Sequence, residues 1–190
     1  MIFKIIIFVT QLNFLLIMPQ QETKTSKLIL ADFTNRETRN SWNVVNDDVM
    51  GGVSDSQIDV SENNSLLFSG EVSLENNGGF ASLRSPVDDY DFSNYKGFYI
   101  KVKGDGKTYS LSFRQTKYFT GYNYNQKFET RKDEWQIFEL PFDNFNLKYY
   151  GRELENIDPI DKKSIKQISI LISDKQEGPF RLEIEWIGLY

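Results

Sequence analysis

The acidic residues best suited to chemistry lie in one Asp-, Asn- and Gly-rich stretch between apolar runs. Asp47 and Asp48 are adjacent there, and paired carboxylates can serve as general acid and base or bind a hard cation. The same acids precede Gly51 and Gly52, where they can accept hydrogen bonds from the backbone of a tight turn. On a strand, adjacent acids would point to opposite faces. We therefore predict that they shape the fold, and a hydrolase using Asp47 or Asp48 is our third hypothesis.

The composition excludes several classes of function. The 190 residues contain no cysteine and no histidine. Ser-His-Asp catalysis, Cys-His catalysis and zinc sites built from His and Cys are therefore impossible. The net charge is -5, whereas nucleic acid requires a positively charged surface. We expect a protein that is not an enzyme, binds no nucleic acid and carries no cofactor, apart from the structural calcium considered below.

The elements that must position these residues are short strands. A period of two, as in Phe98, Ile100 and Val102, is typical of strands with one buried face. Many short strands with regular turns predict an all-β fold of two packed sheets, a sandwich or jelly roll. The residues Gly104 to Lys107 predict a tight hairpin. The predicted strands are Lys27–Phe33, Gln57–Ser61, Leu66–Leu74, Phe80–Arg84, Gly97–Lys103, Thr108–Arg114, Trp135–Leu140, Ser164–Ser173 and Phe180–Leu189.

The N-terminal segment has a different composition from the rest. Residues 1–20 contain one lysine followed by a mostly apolar run, and no acid. This order is typical of a secretory signal peptide, with an uncleaved hydrophobic anchor as the alternative. Residues 21–27 are then a polar linker and residues 28–190 a single β-domain. This interpretation predicts a bacterial envelope or secreted protein, or one anchored to a membrane by its N-terminus.

A motif within the acidic stretch adds a family resemblance. The segment Asn46–Ser54, NDDVMGGVS, resembles the signature of the complex I intermediate-associated protein family, also described as the NADH:ubiquinone oxidoreductase intermediate-associated protein 30 domain. The resemblance implies a galactose-binding-like β-jelly roll and a non-catalytic binding role, like that of the family's chaperones of respiratory complex I assembly. The secretion-like start implies a bacterial member. Further matches follow in the same order at Phe68–Gly70, Asn76–Arg84, Gly104–Gly106, Pro141–Phe142, Gly151–Arg152 and Gly178–Phe180.

The motif residues are predicted to be structural rather than catalytic. Val49 and Met50 are expected to fill the core. The glycine-rich segment 76–79 is expected to connect two strands, because a phosphate loop would be followed by a helix. The structural set is Trp42, Asp47, Asp48, Met50, Gly51, Gly52, Gly78, Gly79 and Phe80.

Two arginines give a binding signal outside the motif. Arg84 and Arg114 each lie on the polar side of a predicted strand, two residues after a serine. If the strands share a sheet, they would line one concave face together with Tyr99 and Lys101. A guanidinium beside hydroxyls can bind sugar hydroxyls or a carboxylate. The alternative is a solvated face with ordinary ion pairs.

Two aromatic runs, residues 118–125 and 145–152, are predicted to be loops. Tyr122, Tyr124, Tyr150 and Arg152 in these runs could stack on sugar rings or contact a protein. Alternatively, the rings only hold long loops against the sandwich. The expected partner is a protein, such as an assembly intermediate of a membrane complex. The alternative is a glycan, bound by a carbohydrate-binding module of the bacterial envelope.

A structural calcium ion is the one metal considered. Jelly-roll modules of this kind carry such an ion near the chain ends, held by acidic side chains and carbonyl oxygens. Asp32 in the first predicted strand, with Glu183 or Glu185 in the last, could supply those oxygens.

Overall fold

The computed structural model describes residues 27–155 and 159–190. The expected signal peptide or anchor and residues 21–26 of the expected linker lie outside the described residues. In the part of the chain that is described, no helix is long and apolar enough to span a membrane. The elements are β1 Leu28–Asp32, α1 Arg36–Ser41, β2 Asn43–Asn46, β3 Asp55–Val60, β4 Leu66–Val72, β5 Ala81–Arg84, β6 Gly97–Lys103, β7 Thr108–Arg114, β8 Tyr122–Glu129, β9 Trp135–Pro141, β10 Asn146–Tyr149, β11 Arg152–Glu153, β12 Gln167–Ile172 and β13 Gly178–Leu189.

The strands form two antiparallel sheets. The six-stranded sheet has the order β3-β4-β13-β6-β9, and β1 also pairs with β13. The seven-stranded sheet has the order β11-β10-β8-β7-β12-β5-β2. The long β13 pairs with β4 along its first half and with β6 along its second half. This arrangement confirms the predicted all-β fold of two packed sheets.

The core lies between the sheets and is filled from alternate strand positions. Ile168, Ile170 and Ile172 on β12 are buried, and so are Phe98 on β6 and Phe113 on β7. The rings of Phe98 and Phe113 have centroids 6.0 Å apart. Each such buried apolar side chain contributes about 1.5–3 kcal/mol to stability. Because these positions face inward, their neighbours in sequence face outward and are free to contact other molecules.

The predicted strands all have counterparts, and β6 and β7 have the predicted bounds. The helix α1 and the strands β2, β8, β10 and β11 were not predicted, because they are short or rich in Asn, Lys and Tyr. The side chain of Asn35 caps α1 by accepting a hydrogen bond from the Glu37 amide at 2.7 Å. This N-cap begins a helix that is too short to show a helical period.

The hairpin predicted at Gly104 to Lys107 is wrong. β6 belongs to the six-stranded sheet and β7 to the seven-stranded sheet, so this turn carries the chain from one sheet to the other. Gly104 is required there, because a Cβ atom would lie 2.2 Å from the Thr130 hydroxyl oxygen. A glycine-rich turn indicates a local reversal of the chain, but it does not indicate which strands pair.

Candidate binding surface

Asp47 is a buried carboxylate that joins two loops. It lies in a single 3-10 turn, Asp47–Met50, and is fully buried. Its Oδ1 accepts from the Ser54 amide at 2.9 Å. Its Oδ2 accepts from the Ser54 hydroxyl at 2.5 Å and from the amides of Gly79 and Phe80 at 2.6 and 3.2 Å. Burial alone would raise the pKa of Asp47, but these hydrogen bonds outweigh it and hold the pKa below its ordinary value.

The buried Asp47 side chain explains two glycines of the motif. A Cβ atom on Gly52 would lie 2.4 Å from the Asp47 carboxyl carbon, and one on Gly78 would lie 2.6 Å from Oδ2. Gly51 has a φ of 90°, in the left-handed region that ends the 3-10 turn. These contacts give the motif a structural role. They offer no catalytic geometry, since Asp47 is enclosed by donors and Asp48 is exposed.

The predicted burial of Val49 and Met50 is wrong. Their side chains are 67% and 61% exposed, because the 3-10 turn directs Asp47 inward and the next residues outward. Trp42, a motif residue predicted to be structural, is in the core, with its ring edge against Phe33 at 5.1 Å between centroids. The motif therefore fixes the turn through Asp47 rather than through its apolar residues.

Arg84 and Arg114 lie on the outer face of the seven-stranded sheet, which is the face directed away from the core. In the register, Arg84 is opposite Ser169 and Arg114 is opposite Gln167, both on β12. Residues two apart on a strand share a face, so both guanidiniums project from the same side. The structure thus confirms that the two arginines share one face, with one strand between their own strands.

The predicted contribution of Tyr99 and Lys101 to this face is wrong. Both lie on β6 in the six-stranded sheet. Tyr99 is 7% exposed and packs against Trp186 at 4.6 Å between centroids, and Lys101 pairs with Glu185 at 2.7 Å. A polar and apolar alternation identifies the outward residues of a strand, but it carries no information on which sheet the strand joins.

An exposed aromatic cluster lies at the end of the seven-stranded sheet where β7 ends. Segment 115–121 leads from Arg114 into this cluster, but Tyr122 and its register partner Tyr149 share the strand face of Tyr124, not that of Arg114. Ring centroids of Tyr122 and Tyr149 are 4.6 Å apart, and those of Tyr149 and Tyr150 are 4.8 Å apart. The cluster consists of Tyr118, Phe119, Tyr122, Tyr149 and Tyr150, with exposed fractions of 75%, 53%, 47%, 41% and 59%.

Gly121 sets the packing of the aromatic cluster. Its φ is 86°, and a Cβ atom would lie 2.4 Å from the Tyr150 ring and 2.9 Å from the Tyr149 ring. The Tyr150 amide donates to the Gly121 carbonyl at 2.9 Å. The rings of Tyr149 and Tyr150 therefore pack against the backbone of Gly121, where there is no side chain. This contact holds the rings in place while their other faces remain in contact with solvent.

The predicted loop at 118–125 is partly wrong, and so is the exposed role of Tyr124. Tyr122 begins strand β8 and is exposed at its end, whereas Tyr124, on the same strand face, lies further along β8 and is buried in the core. Tyr124 is 7% exposed and stacks on Phe113 at 5.1 Å between centroids. Arg152 is exposed on the two-residue edge strand β11, beside the cluster residue Tyr149 in the register. Of the predicted aromatic contacts, the structure therefore brings together Tyr122 and Tyr150.

The residues proposed for calcium are engaged with other groups. Glu183 is 1% exposed and accepts from Lys103, Arg181 and Asn63 at 2.9, 2.9 and 3.0 Å. Asp32 accepts from the backbone and hydroxyl of Thr34 at 2.9 and 2.7 Å. No three acidic side chains of residues 27–155 and 159–190 gather as a metal site would require. The calcium hypothesis therefore has no ligand set among these residues.

Sequence reasoning missed the compactness of the aromatic cluster and the environment of the arginines. The runs 118–125 and 145–152 were both noted, but their contact depends on the pairing of β8 with β10. The signal that could have linked them is a glycine beside the tyrosines of each run, Gly121 before Tyr122 and Gly151 after Tyr150. Which of the described groups lie beside the arginines depends on three separate strands and has no local signal.

Comparison with known proteins gives a family match over most of the chain. The family model of complex I intermediate-associated protein 30 matches residues 31–184. The chain is 30% identical over 182 residues to "Complex I intermediate-associated protein 30, mitochondrial" of Mus musculus, covering 85% of this chain and 56% of that protein. It is 27% identical over 183 residues to the Drosophila melanogaster protein of the same name, covering 85% and 62%. The chain thus spans little more than half the length of these relatives.

The curated relatives overturn the predicted location. Proteins from Mus musculus, Drosophila melanogaster and Caenorhabditis elegans are named as mitochondrial. The prediction of a bacterial envelope or secreted protein is therefore wrong. It rested on the apolar composition of residues 1–20, a pattern that is not specific to secretion.

Solved structures of low sequence identity share the fold. The family 11 carbohydrate-binding module of a Clostridium thermocellum cellulosomal cellulase has a TM-score of 0.65 at 15% identity, covering 87% of this chain and 94% of that one. An agarase has a TM-score of 0.60 at 12% identity, covering 86% and 24%. With the two antiparallel sheets, these matches confirm the predicted galactose-binding-like β-jelly roll. At such identities they carry information on the fold alone.

Proposed function

Because the chain belongs to the complex I intermediate-associated protein 30 family, we propose that it is a non-catalytic binding domain that contacts a protein of a complex I intermediate in mitochondria. The relatives are named for this association and for no reaction. The Asp47 carboxylate fits the same interpretation, because both of its oxygens accept hydrogen bonds that hold the fold together.

The observation that carries the proposal is the exposed aromatic cluster. Tyrosine is enriched at the energetically important centres of protein interfaces, because its ring buries a large apolar area and its hydroxyl keeps a hydrogen bond. Four exposed rings in contact with one another, with exposed Tyr118 next to them in sequence, exceed what a solvated surface requires. Their packing over Gly121 also holds them in place before binding, which lowers the entropic cost of forming an interface.

A capture experiment tests the proposal. Tagged chain is incubated with detergent-solubilised mitochondria, and bound complex I subunits are measured on native gels. The wild-type chain should retain a complex I intermediate, and Tyr122→Ala combined with Tyr150→Ala should reduce its recovery at least about tenfold, the loss of one strong interface contact. Ile137→Ala is the matched control, because Ile137 is 61% exposed on the other sheet. Equal recovery with all variants would refute a role for the cluster.

Glycan binding is the second candidate, supported by the same exposed rings, on which sugars can stack. A β-1,3-1,4-linked tetrasaccharide, the ligand present in one of the solved modules of this fold, is the appropriate probe. Calorimetric titration that gives heat with the wild-type chain and none with the Tyr150→Ala variant would favour this candidate. No heat with the wild-type chain would remove that class of glycan and leave the protein partner as the sole proposal.

A further inference from the structure

Arg84 and Arg114 lie on the outer face of the seven-stranded sheet without an ion-pair partner among the described residues. The ion pairs of those residues involve other cations, such as Lys103, Lys127 and Lys166. Neither Arg84 nor Arg114 takes part in any of these ion pairs. A partly buried charge without a partner is unfavourable, so an arrangement of this kind usually serves a ligand.

The guanidiniums also have unused hydrogen-bond donors. The Nε of Arg84 donates to the Ser82 hydroxyl at 3.0 Å, and its terminal nitrogens donate to no described residue. The Nε of Arg114 is buried and has no acceptor among those residues. A buried donor without an acceptor costs about 1–3 kcal/mol in general, so its presence on a rigid strand needs an explanation.

The hydroxyl two residues before each arginine makes a hydrogen bond of its own to a neighbouring strand. The Ser82 hydroxyl donates to the Val45 carbonyl at 2.7 Å. The Ser112 hydroxyl accepts from the Asn123 amide at 2.7 Å. These fixed contacts hold the surface around the two arginines and leave the guanidiniums as the groups available to an acceptor from outside.

Electrostatics on this face also favours an incoming anion. Burial, and secondarily the charge of Arg114, lowers the pKa of Arg84 from its ordinary value. Burial likewise lowers the pKa of Arg114. Both groups remain charged at neutral pH, since an arginine is effectively always protonated. An anion placed between them would offset the repulsion and accept the free donors together.

We propose that Arg84 and Arg114 bind carboxylates of an acidic segment of the partner protein. This inference rests on the proposed function and adds the chemistry of the partner. Because β12 separates β5 from β7 and the arginines pair with residues two apart on β12, the two arginine backbones are about 12 Å apart. Alternate residues of an extended peptide are about 6.6–6.8 Å apart on one face, so two carboxylates at that spacing can each reach one of the long guanidinium side chains.

The surrounding surface favours a peptide over a polyanion. The net charge of the chain is -5, and neutral hydroxyls and amides separate the two arginines. A nucleic acid or an anionic membrane would need a continuous basic surface. Two separate guanidiniums instead match the spaced carboxylates of a peptide.

The test uses the full chain and a blocked hexaglutamate peptide, with binding followed by fluorescence anisotropy. Hexaglutamate should bind the wild-type chain more tightly than hexaglutamine does. Combining Arg84→Gln with Arg114→Gln should weaken that binding at least about tenfold, as expected for the loss of charge-assisted hydrogen bonds. Arg131→Gln is the matched control, because this arginine is 73% exposed and already paired with Glu134.

Separate outcomes distinguish the inference from the proposed function. Equal hexaglutamate binding by the double variant and the control would overturn the site, and so would competition by inorganic phosphate as strong as that by hexaglutamate. Capture of a complex I intermediate without hexaglutamate binding would also overturn the site while leaving the proposed function intact. Hexaglutamate binding that depends on both arginines, without capture of an intermediate, would support the site and refute the proposed function.

Discussion

Replacing Asp47 would test whether the acidic motif is structural. In Asp47→Ala, the amides of Ser54, Gly79 and Phe80 and the Ser54 hydroxyl lose their common acceptor. A hydrogen bond to a charged group contributes about 1.5–3 kcal/mol, and bonds that share one acceptor are not additive. We expect the free energy of unfolding to fall by about 4–5 kcal/mol, which is a large part of the stability of a typical domain.

Asp47→Asn should cost about half as much. An amide oxygen at the Oδ2 position can still accept from Ser54 Oγ, Gly79 and Phe80, while the amide nitrogen at the Oδ1 position faces the Ser54 backbone donor. The loss is therefore one bond and the negative charge, or about 2–3 kcal/mol. Urea denaturation followed by tryptophan fluorescence measures both variants, and Asp48→Asn is the matched control because Asp48 is exposed.

The pH dependence gives a second measurement on the same residue. The pKa of Asp47 is lower in the folded chain than its ordinary value of 3.8. A lowered carboxyl pKa stabilises the folded state above the unfolded-state pKa, and this stabilisation is lost as the pH falls through the folded-state pKa. The difference in stability between the wild type and Asp47→Asn should therefore shrink as the pH falls below about 4. A cost below about 1 kcal/mol for Asp47→Ala, or a difference that does not change with pH, would refute the structural role.

Three further predictions follow from contacts in the fold. Gly52→Ala should lower the free energy of unfolding by about 2 kcal/mol in urea denaturation, because the new Cβ would lie 2.4 Å from the Asp47 carboxyl group. Glu183→Gln should lower the melting temperature, with a cost of about 2 kcal/mol, because Lys103 loses its charged partner but can still reach water. Arg114→Met should instead raise the free energy of unfolding of the unliganded chain by about 1 kcal/mol, because it removes a buried donor without an acceptor.

The exposed ion pair of Arg131 and Glu134 supplies controls for the charge changes. Its side chains are 73% and 57% exposed, so Arg131→Met and Glu134→Gln should change stability by less than about 0.5 kcal/mol. A neutral effect of Gly52→Ala would mean that the turn relaxes away from Asp47. A destabilised Arg114→Met variant would mean that the guanidinium has an acceptor, which would contradict the basis of the anion site.

The outward face of each strand could be predicted from sequence, but the sheet to which it belongs could not. Arg84, Arg114 and Tyr99 all occupy polar positions in alternating strands, yet Tyr99 lies in the other sheet. Alternation is a local property, whereas strand pairing joins distant parts of the chain. The pairing of β5 with β12, for example, joins residues more than 80 positions apart. The prediction of one shared face therefore succeeded for two residues and failed for the third.

The Asp47 motif shows the same limit at shorter range. Its acids and glycines predicted a turn that satisfies backbone donors. The amides of Gly79 and Phe80 lie 32 and 33 residues further along the chain, so the sequence did not indicate that they are the donors. The exposure of Met50 was missed because apolar residues beside a turn were assumed to face the core. In a 3-10 turn, successive side chains point in different directions, so Asp47 faces inward while Met50 faces solvent.

The two outer faces of the sandwich show that a binding surface is identified by charges without an ion-pair partner rather than by polarity alone. On the six-stranded sheet, the buried carboxylate of Glu183 is matched by Lys103 and Arg181, and such a network satisfies itself. On the seven-stranded sheet, Arg84 and Arg114 are half-buried and have no carboxylate within ion-pair distance among the described residues. Both faces were built by the same strand alternation. Removing the charge of Glu183 should therefore lower the free energy of unfolding, whereas removing the charge of Arg114 should raise it. This opposite sign separates a structural charge from a binding charge.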